Sequence, residues 1–126
     1  MRASDYQNHT RRTDLPFYED VGLRLADEET QRLLHYGMGM VTEVGEYMDA
    51  LKKNLMYGKP IDKVNLREEL GDVLWYVARA CTALDISMEA IMDRNIEKLR
   101  ARFPEKFTAE KALNRDLEKE REVLGG

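Results

Sequence analysis

The chain is predicted to be all-α. Apolar residues recur at three- and four-residue spacing over most of its length, and only three prolines interrupt it. A balance of 43% hydrophobic to 35% charged residues fits a soluble helical domain rather than a disordered chain. At 126 residues and 14.7 kDa it is expected to be one domain with a modest core, small enough that pairing with a copy of itself would add stability.

Residues 1–26 read as an N-terminal arm. They are polar and mixed, carry Arg11 and Arg12, and contain the breaker Leu15-Pro16, so at most a short helix is expected. The helical core spans 27–107. Its first helix runs from about Glu28 to Met56, with Leu34, Val41, Met48 and Leu55 seven apart and Val44 and Leu51 between them. Gly37, Gly39 and Gly45 each lower helix propensity by about 1 kcal/mol, so they signal either close approach of another backbone or a break near Gly37. Tyr57-Gly58-Lys59-Pro60 closes the helix. Asn65, three residues before Glu68, is expected to cap a second helix from Leu66 to Leu84 whose seam is Leu66, Leu70, Val73, Val77, Cys81 and Leu84. Ser87 caps a third helix ending near Phe103 and Pro104, with Met88, Ile91, Met92, Leu99 and Phe103 on its apolar face and Asn95 among them. Residues 108–126 read as a marginal, highly charged C-terminal helix.

Two motifs carry the chemistry. Glu43-Val44-Gly45-Glu46 and Glu69-Leu70-Gly71-Asp72 each place two carboxylates three apart, hence on one helical face about a turn from each other. On the first helix the acids lie well away from the apolar seam; on the second, Glu69, Asp72 and Tyr76 follow one shoulder of it, where an unpaired carboxylate is costly. Four converging acids call for a cation. Hard oxygen donors without histidine suit Mg²⁺, with Mn²⁺ possible, and Mg²⁺ at a few carboxylates characteristically completes its shell with water and substrate phosphate. Asn95, Lys98 and Arg102 share one side of the third helix and supply positive charge for a polyphosphate.

The net charge of −4 and pI near 5.3 argue against a nucleic-acid polymer or an anionic membrane as partner. No apolar run approaches the ~18 residues of a membrane span, and no signal-like segment precedes Tyr18. Cys81 stands alone, which fits a reducing compartment, so a cytoplasmic protein is expected.

The order ExxE, 22 intervening residues, ExxD resembles the all-α nucleoside triphosphate pyrophosphohydrolase superfamily, the MazG-like group. The likeness extends to Tyr6-Gln7, Arg12-Thr13, Leu34-His35 ahead of Gly39, Lys52-Lys53, the block from Glu68 to Tyr76, and Asn95-Ile96-Glu97-Lys98-Leu99 followed by Arg102-Phe103-Pro104. It implies an antiparallel helical bundle assembled as a dimer or dimer of dimers, with helices of one subunit completing another's site. It also implies hydrolysis of a nucleoside triphosphate between the α- and β-phosphates. Glu43, Glu46, Glu69 and Asp72 would then hold Mg²⁺ and activate water. Asn95, Lys98, Arg102 and Lys52 or Lys53 would hold phosphates, with Gln7, Tyr6, His35, Trp75 and Tyr76 as base and sugar contacts. The all-α dUTPases and phosphoribosyl-ATP pyrophosphohydrolases share this chemistry. A di-iron bundle wants Glu-x-x-His motifs, which neither His9 nor His35 supplies. A non-catalytic helical interaction module is the reading from a different class.

Overall fold

A computed structural model describes residues 1–14 and 19–125. Among these residues all regular structure is helical: α1 (Ala3–Thr10), a 3₁₀ turn (Arg11–Thr13), α2 (Glu19–Leu25), α3 (Glu28–Tyr57), α4 (Lys63–Ala83), α5 (Met88–Arg102), α6 (Ala109–Leu113) and α7 (Leu117–Gly125). The Leu15-Pro16 breaker lies outside the described residues.

The helix α3, 30 residues and about 45 Å long, is the axis of the molecule. Asp27 caps it, accepting from the backbone N–H and the hydroxyl of Thr30, both at 2.8 Å. It runs through Gly37 unbroken and stops where Gly58 turns left-handed at φ 68°. The α4 cap is Asp62 rather than Asn65: its carboxylate accepts from Val64 N and Asn65 N, so α4 begins three residues earlier than the capping-box reading placed it. This frees the Asn65 side chain for another partner. Ser87 caps α5 as expected, accepting from Ala90 N at 3.1 Å.

α3 and α4 pack against each other as a helical hairpin, and the face of α3 that they bury corrects the reading of its apolar seam. Tyr36 and Gly39 are buried, and Met40, Glu43, Tyr47, Ala50 and Asn54 are half-buried, so the stripe carrying Glu43 faces α4. The seam turns outward instead, with Val41 73% and Leu55 78% exposed and Val44 and Met48 also open. On α4, Glu69 and Cys81 are buried and Val73, Tyr76, Val77 and Ala80 half-buried, whereas Leu70, Leu74 and Leu84 are exposed. Apolar periodicity marks faces that will be covered; it does not say whether by the same chain.

Gly39 shows why a glycine stands inside α3. A Cβ there would overlap the ring of Tyr76, so the two helices approach closely at this level. The aromatic ring of Tyr76 lies edge-on to Trp75, centroids 4.9 Å apart, and to His35 at 6.0 Å, and Arg79 lies over Tyr36 at 5.8 Å.

α5 packs chiefly with α7. Arg102 grips Glu120 with two hydrogen bonds, at 2.7 and 2.5 Å, and Arg115 adds two more, at 2.7 and 3.4 Å. Glu120 is only 4% exposed, and the two guanidinium groups hold its carboxyl down to about 2. The C-terminal segment is thus two short helices, separated at Asn114–Asp116, rather than one.

Candidate active site

The α3–α4 interface brings together three of the four predicted acids. Glu43, Glu69 and Asp72 each offer a carboxylate oxygen, and these oxygens lie within 4.8 Å of one another. Ligands at about 2.1 Å from Mg²⁺ stand at most about 4.2 Å apart across the ion, so shifts below an ångström would close the three around one cation. Glu69 is 5% exposed, Glu43 half-buried and Asp72 exposed, so one side of the cluster faces open space from which further ligands can approach.

Helix geometry explains the convergence. Glu43 lies one turn after Gly39 and Asp72 one turn before Tyr76, so the close approach of Gly39 and Tyr76 draws the acid-bearing turns together. The Glu43 carboxyl is raised above its ordinary value, first by desolvation and then by repulsion from Glu46, Asp72 and Glu69. Such unrelieved repulsion, on hard oxygen donors alone, is the condition a divalent cation neutralises.

Glu46 lies outside the tight trio, on the wall of an adjoining cleft of about 820 Å³ that Glu69 also reaches. This cleft runs towards the α3–α4 loop, past Asp49 and Lys53 to Lys59 and Asn65. Asp49 binds both Lys52, at 2.6 Å, and Lys53, at 2.5 Å; the two lysines hold its carboxyl at about 2, and Asp49 in turn raises Lys53. Asn65 Nδ2 donates to Glu69 Oε1 at 2.6 Å. That bond fixes the rotamer of the most buried acid and satisfies one of its oxygens.

Sequence reasoning missed Asn65, Asp49 and Lys59 as members of this region. The first two were open to detection: Asn65 precedes Glu69 by four residues, and Asp49 precedes Lys52 and Lys53 by three and four. Lys59 sits on a loop, whose path no periodicity predicts.

The remaining candidates fall into two groups. His35, Trp75 and Tyr76 form one aromatic group, a turn beyond the acids and on the side away from the lysines. Asn95, Lys98 and Arg102 on α5 do not line the acid cleft of their own chain; Arg102 is engaged by Glu120, and Asn95 is exposed rather than held within an apolar face. Gln7 and Tyr6 are exposed on α1, which packs mainly on its own 3₁₀ turn. No described helix is long and apolar enough to cross a membrane.

The Gene 37 protein of Mycobacterium phage L5 is 34% identical over 79 residues, covering 60% of this chain and 69% of the phage protein. No solved structure matches the chain. The profile of the MazG nucleotide pyrophosphohydrolase domain matches residues 31–107, a span that contains both carboxylate pairs, all but the first three residues of the α3–α4 hairpin, and α5. By this match the chain belongs to the MazG nucleotide pyrophosphohydrolase domain family.

Proposed function

We propose that the protein is a Mg²⁺-dependent nucleoside triphosphate pyrophosphohydrolase that cleaves a ribo- or deoxyribonucleoside triphosphate between the α- and β-phosphates, releasing the monophosphate and pyrophosphate. The observation that carries this reading is the meeting of Glu43, Glu69 and Asp72 oxygens across two helices, in a chain of this family. A divalent cation held there supplies charge neutralisation for the polyphosphate and a more acidic bound water.

The protein's own groups divide the remaining work. Glu43, Glu69 and Asp72 form the ligand set, with Mn²⁺ able to replace Mg²⁺ in the same oxygen environment. Glu46, on the cleft wall and outside the trio, is positioned to orient or deprotonate the attacking water. Lys53, anchored by Asp49, faces the cleft as a phosphate contact. His35, Trp75 and Tyr76 offer flat surfaces for base and sugar, with Gln7 a further contact from the arm.

Asn95 and Lys98 enter this scheme through a second copy of the chain, whereas Arg102 is taken up by Glu120 of its own chain. The surface area is 10,725 Å², against roughly 7,000 Å² for a compact monomer of this mass. That excess is several times the roughly 800 Å² each partner contributes to a standard interface. The outward seam of α3 with Leu70, Leu74, Ile91, Met92 and Ile96 contributes exposed apolar surface to it. A homodimer or homotetramer covers these faces and brings α5 of one copy to the acids of another. Buried, unpaired Cys81 suits a reducing cytoplasm, where nucleoside triphosphates are the partners.

Hydrolysis in ¹⁸O-water tests the route. Label in the nucleoside monophosphate marks attack at the α-phosphorus; release of orthophosphate and diphosphate, or no Mg²⁺-dependent pyrophosphate from any common nucleoside triphosphate, overturns the assignment.

A further inference from the structure

Along the α3–α4 hairpin the chemistry changes in a fixed order. Gly39 and Tyr76 mark the aromatic group, Glu43, Glu69 and Asp72 follow in the middle, and the cleft beyond them passes Glu46 and ends at Lys53 and Lys59. From Gly39 to Lys53 is 14 residues of one helix, a span of about 21 Å. Along the hairpin the order is therefore rings, then carboxylates, then ammonium groups.

Lys59 differs from the other lysines of this end. Lys52 and Lys53 both bind Asp49, whereas Lys59 makes no ion pair among the described residues. Its backbone is nevertheless tightly held. Gly58 before it is left-handed at φ 68°, its N–H donates to Lys53 O at 3.3 Å, its carbonyl accepts from Asn54 Nδ2 at 2.7 Å, and Pro60 follows. Lys59 thus holds an ammonium without an ion pair on a fixed loop, in a cleft whose acids, Glu46, Asp49, Asp62 and Glu69, outnumber its lysines. An anion that arrives carrying its own divalent cation satisfies both walls at once; a free anion would meet the acids unscreened.

We propose that Lys59, with Lys53 beside it, forms the subsite for the pyrophosphate portion of a metal-bound nucleoside triphosphate, which sets the substrate's direction in the groove with its base towards Tyr76. This rests on the hydrolase reading above. Lys59 binds rather than reacts, holding the two distal phosphates in the substrate and the pyrophosphate before it departs.

Binding of inorganic pyrophosphate to the full chain, measured by calorimetry with and without Mg²⁺, tests the subsite without turnover. Wild type should bind pyrophosphate only with the metal. Lys59→Ala should weaken that binding about tenfold and raise KM for the triphosphate, while Mn²⁺ binding alone, read by electron paramagnetic resonance, stays unchanged. Lys59→Arg should keep most of the affinity. Lys63→Ala, a charge removed nearby on α4 but off the cleft wall, should match wild type. The proposal is overturned if wild type shows no metal-dependent pyrophosphate binding, if Lys59→Ala binds within twofold of wild type, or if Lys63→Ala loses as much. Each failure can coexist with Mg²⁺-dependent hydrolysis by wild type, which would leave the hydrolase reading standing. A wild type that binds pyrophosphate through Lys59 yet hydrolyses no nucleotide would sink that reading and keep the subsite.

Discussion

Replacing Gly39 by alanine sets two effects of opposite sign against each other. Alanine in a helix interior is favoured over glycine by about 1 kcal/mol. The new Cβ, however, would lie inside contact distance of three atoms of the Tyr76 ring, which is itself packed edge-on to Trp75 and His35. The ring belongs to a rigid side chain between two helices, so relief requires the helices to part or the ring to leave its rotamer. Overpacking of this kind costs about 1–3 kcal/mol, and an overlap with three ring atoms falls at the upper end. The net expectation is a loss of about 1–2 kcal/mol, or roughly 3–10 °C in Tm for a domain of this size. Thermal unfolding by circular dichroism, at one fixed protein concentration, reads the stability. Trp75, the sole tryptophan, reports locally through its fluorescence whether Tyr76 has moved. Coupling gives a second check: Gly39→Ala combined with Tyr76→Leu should lose less than the two single changes added together. A Gly39→Ala protein as stable as wild type, or more so, with unchanged Trp75 emission, would refute the close-approach argument.

Other expectations follow from the same geometry. Glu43→Gln, Glu69→Gln and Asp72→Asn should each cut turnover by orders of magnitude with helicity intact, and Glu43→Gln should also raise Tm in metal-free buffer because it removes a charge repelled by three neighbours; full activity in Glu69→Gln would remove Glu69 from the site. Light scattering should give at least twice the 14.7 kDa chain mass, and a persistent monomer that still hydrolyses nucleotide would contradict a site completed by a second copy. Glu120 has a folded value of about 2 against an ordinary 4.5, so its hold on α7 should be complete above about pH 4.5 and fade as pH falls towards 2. NMR shifts of residues 117–124 should follow that window, while Glu120→Gln should loosen α7 already at neutral pH, seen as faster amide exchange; an α7 indifferent to both changes would show that the two arginines do not secure it.

The sequence by itself determined the core helices, and for local reasons. Periodicity, the Gly58-Lys59-Pro60 stop and the Ser87 cap act within a few residues, so α3 and α5 emerged with nearly the bounds the structure shows. It also determined which acids to watch, because three-residue spacing places Glu43 beside Glu46 and Glu69 beside Asp72 whatever the helices later pack against. Competition between equivalent local signals was less legible: Asp62 and Asn65 can both cap a helix, and with Asp62 taking the cap Asn65 turns to Glu69 four residues on. The tertiary structure alone decided which stripe of α3 meets α4. Periodicity reports that a face is apolar, but the close approach at Gly39 and Tyr76 turns the Glu43 stripe inward and leaves Val41, Val44 and Leu55 for a partner. It likewise decided that Arg102 meets Glu120 across 18 residues, and that the loop brings Lys59 to the wall it shares with Glu46 and Glu69. Contacts between distant segments depend on how helices orient in space, and that orientation is set by the sum of packing across an interface rather than by any residue's immediate neighbours.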